Sequence, residues 1–414
     1  MLVAIVAPGA SASRYRDALG VPEFRALFAA YALSLTGSVV SAVALMVLVF
    51  ERTGSPLLAS LTFALGFLPY LVSGALLSAV VDRMPLRRLL VGCDLVCAGL
   101  VGVMAAPGVP VPLLLVLLLA VGTVSSLSGG GRSAALPQIV SEAAYIPARS
   151  LFRIAGQSAQ IVGNAAGGAL LVVLPPRGAI LIDAGSFLVS AALMRAGVRQ
   201  RERMLDPSGG PTLLRDSLRG VRAVLGSEPL RRLLLLGWLV PTFAVAPEAL
   251  AAPYVAGIGG RAALVGWWLV ALPVGVVVGD LVGIWALSAT VQRRLVVPLA
   301  AATFVPLLAF ATHPGFLLAC GLLVLSGLAA SYSLGLDALL REAAPPSIFG
   351  RALAINTAGL ISLQGLGFAA AGALGELVPP HVAIAIAALA GLAVVALLRP
   401  RSGQAAETGR EAGR

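Results

Sequence analysis

Twelve apolar stretches run along the chain, each about the length that crosses the hydrocarbon of a bilayer. They fall at residues 24–50, 57–81, 89–106, 111–130, 151–174, 178–194, 233–256, 262–289, 295–312, 315–340, 352–377 and 381–398. A spanning helix needs about 20 apolar residues. Lipid offers no partner to the backbone, so a chain of such segments satisfies its N–H and C=O groups within helices. Composition points the same way. Hydrophobic residues make up 59% and charged residues 11% of the 414 residues, and mean hydropathy is +0.97. That is too little charge to cover a soluble protein of this size. The fold class expected is an all-α membrane protein with twelve transmembrane helices.

The loops divide these helices into two sets. Most loops are a few residues long, so consecutive helices are antiparallel neighbours. The exception is polar, rich in Arg, and carries Pro207-Ser208-Gly209-Gly210-Pro211. The chain therefore reads as an N-terminal tail (1–23), a six-helix bundle (24–194), a linker (195–232), a second six-helix bundle (233–398) and a C-terminal tail (399–414). Orientation follows from charge. All 29 basic residues are arginine. With the N-terminus inside, the outer loops hold only Arg52, Arg177 and Arg261; every other arginine falls in a tail, an inner loop or the inner end of a span. This is the positive-inside pattern. It predicts a multi-pass protein of the plasma (inner) membrane with both termini cytoplasmic, residues 1–20 forming a loose tail.

Several function classes drop out. The net charge of +11 is spread in short clusters between apolar runs, without a nucleic-acid-binding motif. Cys93 and Cys97 share a helix face with no His or further Cys near, so they and Cys320 are packing residues. His313 and His381 lie at predicted outer ends. No catalytic motif accompanies them, and the chain is not expected to be an enzyme.

A weak internal repeat joins the two bundles. Phe24-Arg25-Ala26-Leu27 aligns with Leu230-Arg231-Arg232-Leu233, and Arg87-Arg88-Leu89 with Arg293-Arg294-Leu295, at one common offset. Gly168-Ala169-Leu170 and Pro175-Pro176 align with Gly372-Ala373-Leu374 and Pro379-Pro380 at an offset two residues shorter. Transporters built from parallel halves have this form, with the substrate site between the halves near the midplane.

Residues 78–88, SAVVDRMPLRR, resemble the signature loop between the second and third helices of the major facilitator superfamily, in which Gly is followed by Asp-Arg and then two basic residues. Asp82, Arg83, Arg87 and Arg88 match; Ser78 replaces the Gly, and the basic pair lies one residue later. From FRALFAAYALSLTGS through RSAALPQIV to FGRALAINTAGL, the chain is similar to the drug and siderophore exporter branch, with its macrolide-efflux and enterobactin-exporter relatives. The resemblance implies two pseudo-symmetric bundles and secondary active transport. It implies proton-coupled export of small amphiphilic molecules by a monomer, with no cofactor beyond the proton gradient. Symport import of a small metabolite, or a non-transporting protein of the same fold, is the alternative.

The resemblance also assigns roles to residues. Asp82, at the inner end of the second helix, would meet the N-terminus of the eleventh helix near Ser347 and close the inner face, with Arg83 holding it. A carboxylate at a helix N-terminus is favourable by about 0.3–1 kcal/mol at exposed sites. Gly163-Asn164-Ala165-Ala166-Gly167-Gly168 resembles the antiporter motif of the fifth helix, with Asn164 in place of Pro. Gly156, Gln160, Gly163 and Gly167 share one helix face, as do Gly275, Gly279 and Gly283 on the eighth helix. Small faces let helices approach closely in lipid, so Gly163, Asn164, Gly167, Gly168, Gly275, Gly279 and Gly283 are expected where the halves meet.

Ionisable residues inside a membrane are functional suspects. Glu248, after Pro247, and Asp280, beside the eighth-helix glycines, are the leading proton-coupling candidates, with Asp183 third. Asp183 also suits a structural pairing with polar groups such as Gln157. Asp94 and Asp337 lie near inner ends and are assigned structural roles. Ser34, Ser38 and Ser41 on the first helix, Trp238 and Thr242 on the seventh, and Ser326, Tyr332 and Ser333 on the tenth are candidates to line an amphiphilic cavity. Arg153 would attract an anionic group or anchor the inner end of the fifth helix.

The orientation has a direct test. In a cysteine-free background, a membrane-impermeant thiol reagent on whole cells should label Gly259→Cys and leave Ser208→Cys unlabelled. Labelling of Ser208→Cys in intact cells would reverse the topology.

Overall fold

The computed structural model describes residues 10–76, 84–200, 226–344 and 349–398, and among these all regular structure is helical. The first half comprises α1 (Ala10–Gly20), α2 (Pro22–Thr53), α3 (Pro56–Leu76), α4 (Leu86–Met104), α5 (Val111–Ile139), α6 (Glu142–Val173) and α7 (Pro176–Gly197). The second comprises α8 (Glu228–Ala244), α9 (Ala246–Ala249), α10 (Ala251–Gly257), α11 (Ala263–Ala286), α12 (Ala289–Arg294), α13 (Val296–Ala302), α14 (Val305–Leu308), α15 (Phe316–Ala329), α16 (Tyr332–Ala343), α17 (Phe349–Leu377) and α18 (Pro380–Leu398). Helices occupy all twelve apolar stretches as far as the described residues reach. Among these residues, eight helices are long and apolar enough to cross a membrane, and Pro56–Phe67 and Val296–Thr312 are shorter apolar ones. Leu317 and Leu397 are more than four-fifths exposed, as suits side chains that meet lipid rather than water.

Helix ends follow local chemistry. Pro22, Pro176 and Pro380 open α2, α7 and α18, where a missing N–H costs nothing. Gly54, at φ 65°, ends α2 and donates to the Phe50 carbonyl, a conformation glycine adopts freely. Inside the spans proline has the opposite effect. Pro241, Pro247 and Pro253 coincide with the breaks that divide one apolar stretch into α8, α9 and α10. The Trp268 indole N–H donates to the Pro247 carbonyl at 2.8 Å. Likewise Ser326 is buried and donates to the Thr303 carbonyl at 2.7 Å, at the gap between α13 and α14. Ser326 thus mends a broken helix.

Part of the expected loose tail is ordered. The Tyr15 hydroxyl donates to Ser150 Oγ at 3.3 Å. Ala18 is buried with Leu136, Val140, Ala144 and Leu151, and Tyr15 and Leu19 pack on this cluster. Tyr15, Ala18 and Leu19 share a face at helical spacing, too short a pattern to register among full-length spans. Most of the linker and residues 399–414 lie outside the described residues.

Among the described residues, one end of the bundle carries Arg52, Arg177 and Arg261, and the remaining arginines lie toward the other end. The halves touch at the arginine-poor end. A Cβ on Gly168 of α6 would lie 2.7 Å from the Ala263 carbonyl oxygen and 3.0 Å from Gly266 Cα of α11. Asn164, one turn earlier on the same face, donates to the Leu269 carbonyl at 3.1 Å. Between α3 and α17, Phe368 stacks on Phe63 and Phe67 with ring centroids 5.3 and 5.7 Å apart.

The other glycines expected at this junction pack elsewhere. Gly163 meets Val39, and Gly167 meets Val43, both on α2 of their own half. Gly275 and Gly279 meet Val324, Gly327 and Leu328 of α15, and Gly283 meets Leu334 of α16, all within the second half. The reason is angular. Successive helical residues turn by about 100°, so Gly163 and Gly167 face one neighbour while Asn164 and Gly168 face another. Gly266 completes the real junction.

The close approach is testable. Gly168→Val would drive a side chain into backbone that cannot yield, and overpacking typically costs about 1–3 kcal/mol. A lowered thermal unfolding midpoint in detergent is expected, while Gly185→Ala, where a Cβ meets nothing within 4 Å, should not lower it, since alanine is the better helix former.

Candidate functional site: a cavity between the halves

Beyond the junction, toward the arginine-rich end, the helices line a shared cavity of about 1060 Å³. Its two walls differ. The first half contributes the polar Ser34, Ser38, Ser125, Ser128, Gln157 and Gln160 beside apolar residues such as Leu35, Val39, Val121 and Ile161, and the second contributes mainly apolar residues, Leu272, Pro273, Val276, Val277 and Ile361, with Gln364. The aromatic stack of Phe63, Phe67 and Phe368 also lines it, next to the junction.

Glu248 lines this cavity. The break that isolates α9 puts its backbone at membrane depth, which lipid tolerates only where irregular chain is buried or lines a cavity. Ala246 and Ala249, on either side, pack in one cluster with Phe368 and against Phe63 and Phe67. Glu248 therefore stands near the closed end. Among the described residues its carboxylate has no hydrogen-bond or ion-pair partner.

The other carboxylates are differently placed. Asp183 is buried away from the cavity, between α2 and α7, where Ser38 at 3.4 Å and Ser186 at 3.3 Å donate to Oδ1 and Ser41 also bonds it. It pairs with these serines, not with Gln157. One oxygen of Asp280 is buried without a hydrogen-bond partner, and Arg153 bears on its charge across the halves. Asp94 has the interhelical bond of a structural residue, but it does not lie near a wet inner end. It is 2% exposed, lies midway along α4, lines the cavity, and accepts a short hydrogen bond from Ser190. It lies only a few turns from the start of α4, a distance that in sequence suggests access to water; packing against α7 is what covers it.

Arg132, which opens the RSAALPQIV stretch, and Arg149 also line the cavity, and neither stood among the expected cavity residues. Arg132 donates to Ser128 Oγ at 2.9 Å and its guanidinium lies over the Tyr31 ring, 4.8 Å from the centroid. Arg149 stands 6.0 Å from the Tyr145 ring. Both contacts have cation–π geometry. Arg153 joins them on the same wall, giving the arginine-rich side of the cavity three guanidinium groups.

Several expected cavity residues lie elsewhere. Ser41 is buried toward Asp183. Trp238 donates from its indole to the Asn356 carbonyl at 3.0 Å and packs on Gly359, and Thr242 bonds back to the Trp238 carbonyl. Tyr332 is in the core of the second half. Each shares a helix with a cavity element or its neighbour, but its face turns into the bundle. In the signature loop, Arg87 bonds Gln200 at 3.1 Å and Arg88 is exposed; Asp82 and Arg83 lie outside the described residues.

Comparison with known proteins agrees with this architecture. The family model of the Major Facilitator Superfamily matches residues 27–249. Over 227 residues the chain is 27% identical to Macrolide efflux protein A of Streptococcus pyogenes, a match covering 52% of this chain and 55% of that protein. The chain thus spans about half the length of the curated relatives it matches. Among solved structures, a bacterial homologue of the iron transporter ferroportin in its inward-facing state superposes with a TM-score of 0.66 at 14% identity, over 92% of this chain and 99% of that one. A bacterial homologue of the human lysosomal transporter Spinster, inward-facing and unoccupied, gives 0.62 at 14% identity, over 91% and 93%. The peptide transporter POT in complex with sulfate gives 0.67 at 13% identity, over 91% and 93%. With two halves of spanning helices, a cavity between them and a family match over more than half its length, the chain belongs to the major facilitator superfamily.

Proposed function

We propose that this chain is a secondary active exporter of small amphiphilic organic molecules, driven by proton entry. In this reading it lies in the plasma membrane with its arginine-rich end in the cytoplasm. The observation that carries the proposal is Glu248, a carboxylate at the closed end of a cavity between the halves, with no protein partner among the described residues. A low-dielectric surrounding favours the neutral form of a carboxyl, and water or a cation favours the charged one. As the halves rock, Glu248 meets the cavity from one side and then the other, so it takes up a proton in one state and loses it in the other. Substrate and proton compete for one cavity. Coupling requires that each bind the two states differently, and a site sealed at one end by helix contacts supports that reading.

The walls support an amphiphilic substrate: hydroxyls, amides and guanidinium groups stand among apolar side chains on one side, and the other side is mainly aliphatic. The partial similarity to Macrolide efflux protein A supports export. Asn164 supports coupling in a different way from the proline of the antiporter motif, because its amide holds the arginine-poor end together through the Leu269 carbonyl.

The test uses purified protein in liposomes with an imposed pH gradient and two probes, a radiolabelled macrolide and the dye ethidium. Glu248→Gln resembles the protonated acid; it should abolish gradient-driven accumulation while sparing probe exchange. Asp183→Asn, whose site is filled by serine hydroxyls, should retain most of the pumping. If Glu248→Gln pumps as wild type does, the proton is carried elsewhere, and Asp280→Asn and Asp94→Asn follow. Accumulation driven in the import direction would favour a symporter, and transport indifferent to the gradient would end the proton-coupled reading.

A further inference from the structure

At the arginine-poor end, a carboxylate from one half completes the first turn of a helix in the other. The first turn of a helix leaves N–H groups without intrahelical partners. In α3 the positions are accounted for one by one. Pro56 has no N–H. The Leu58 N–H donates to Ser55 Oγ at 3.1 Å, and the Ala59 N–H donates to the Ser55 carbonyl at 3.2 Å. Only the Leu57 N–H is left over, and it donates to Glu376 Oε1 of α17 at 3.1 Å. The Ser55 hydroxyl donates to the same oxygen in a short contact. Glu376 therefore caps α3 from across the halves, and a negative charge there also meets the positive end of the α3 dipole.

The backbone geometry around it is close. A Cβ on Gly372 would lie 3.0 Å from Leu57 Cα and against Ser60, and one on Gly375 would lie 3.1 Å from Pro56 Cβ. Small residues on α17 thus seat Glu376 over the end of α3. The contact exists only while the arginine-poor ends are together. When they part, the Leu57 N–H and the Glu376 carboxylate must both turn to water.

We propose that Glu376 is a positioning residue for transport, a latch that holds the arginine-poor face closed by capping α3. The sequence assigns a corresponding gate at the other face to Asp82, which lies outside the described residues. Glu376 lies at the C-terminal end of α17 and bonds the N-terminal end of α3; for Asp82 the mirror-image contact is what the family resemblance implies. The two would then operate in alternation, one for each face. The proposal rests on the alternating-access reading.

The experiment measures accessibility in a background without Cys93, Cys97 and Cys320. Two single-cysteine reporters line the cavity, Thr62→Cys toward the latch and Gln157→Cys toward the arginine-rich end. Each is labelled in membrane vesicles of defined orientation with an impermeant maleimide. Glu376→Ala should raise the labelling rate of Thr62→Cys from the arginine-poor side on the order of fivefold, the scale expected for losing a helix cap. Gln157→Cys should not become more reactive from the other side. Glu376→Gln, which keeps an acceptor but no charge, should fall between. An unchanged Thr62→Cys rate in Glu376→Ala would overturn the latch, and so would a rise at both reporters together, which marks a loosened fold. Gly372→Val separates this from failure of the underlying reading, because it wedges the same face apart by bulk. If Gly372→Val exposes Thr62→Cys and Glu376→Ala does not, the latch alone is wrong. If neither variant exposes it, alternating access and the latch fall together.

Discussion

The approach of α6 to α11 at Gly168 and Gly266 brings two helix backbones into contact, and the function proposed for this chain depends on where that contact lies. Between helices in lipid there is no hydrophobic force of the kind that gathers a soluble core, so association comes from packing and from a few hydrogen bonds. A side chain at either position would hold the helices apart. With both glycines present, Asn164 reaches the Leu269 carbonyl and the ends of the two halves close. The α3–α17 contact, with its stacked rings and glycines, closes the other side of the same face. A cavity sealed at this end is what brings Glu248 into a partly enclosed space.

Close contacts also hold each half together internally. Gly163 and Gly167 seat α6 on α2, while Gly275, Gly279 and Gly327 seat α11 on α15. These lie within a half, whereas the described glycine contacts between halves cluster at one end. Tight packing inside each bundle and a localised junction between bundles are the mechanical conditions for rocking as rigid bodies around a fixed site. The broken stretch α8–α10 contributes differently, trading helical continuity for a turn that presents Glu248. Its freed carbonyl at Pro247 is taken by Trp268.

The buried acids are separated by what surrounds them. Asp183 is enclosed by serine hydroxyls and belongs to the packing of α2 against α7. Asp94 faces the cavity but is tied to Ser190, with the Arg132 charge bearing on it. Asp280 lies between the halves, with Arg153 bearing on it. Glu248 has the cavity and its aromatic neighbours. Hydrogen bonds to a carboxylate weaken when it is protonated, so a group with several partners is held in its charged form, whereas one without partners responds to whatever enters the cavity.

The chain by itself determined the helical membrane fold, its twelve stretches, the division into two halves and the asymmetry of arginine between the two ends. These follow from segment length, hydropathy and loop charge, which are local quantities. It also singled out Glu248, Asp280 and Asp183, because an acid in an apolar run stands out without any knowledge of its neighbours. Tertiary structure alone decided which of them face a common space. Trp238, Thr242 and Tyr332 have the composition of cavity residues, yet their faces turn into the second bundle; Arg132, Arg149 and Asp94 have nothing in sequence that marks a cavity position, yet they line the site. The same holds for the glycines, where Gly163 and Gly168 are five residues apart in one motif and meet different halves. On a helix every residue points in a fixed direction relative to its neighbours, but the direction in which the whole helix faces is set by packing between segments far apart in the chain.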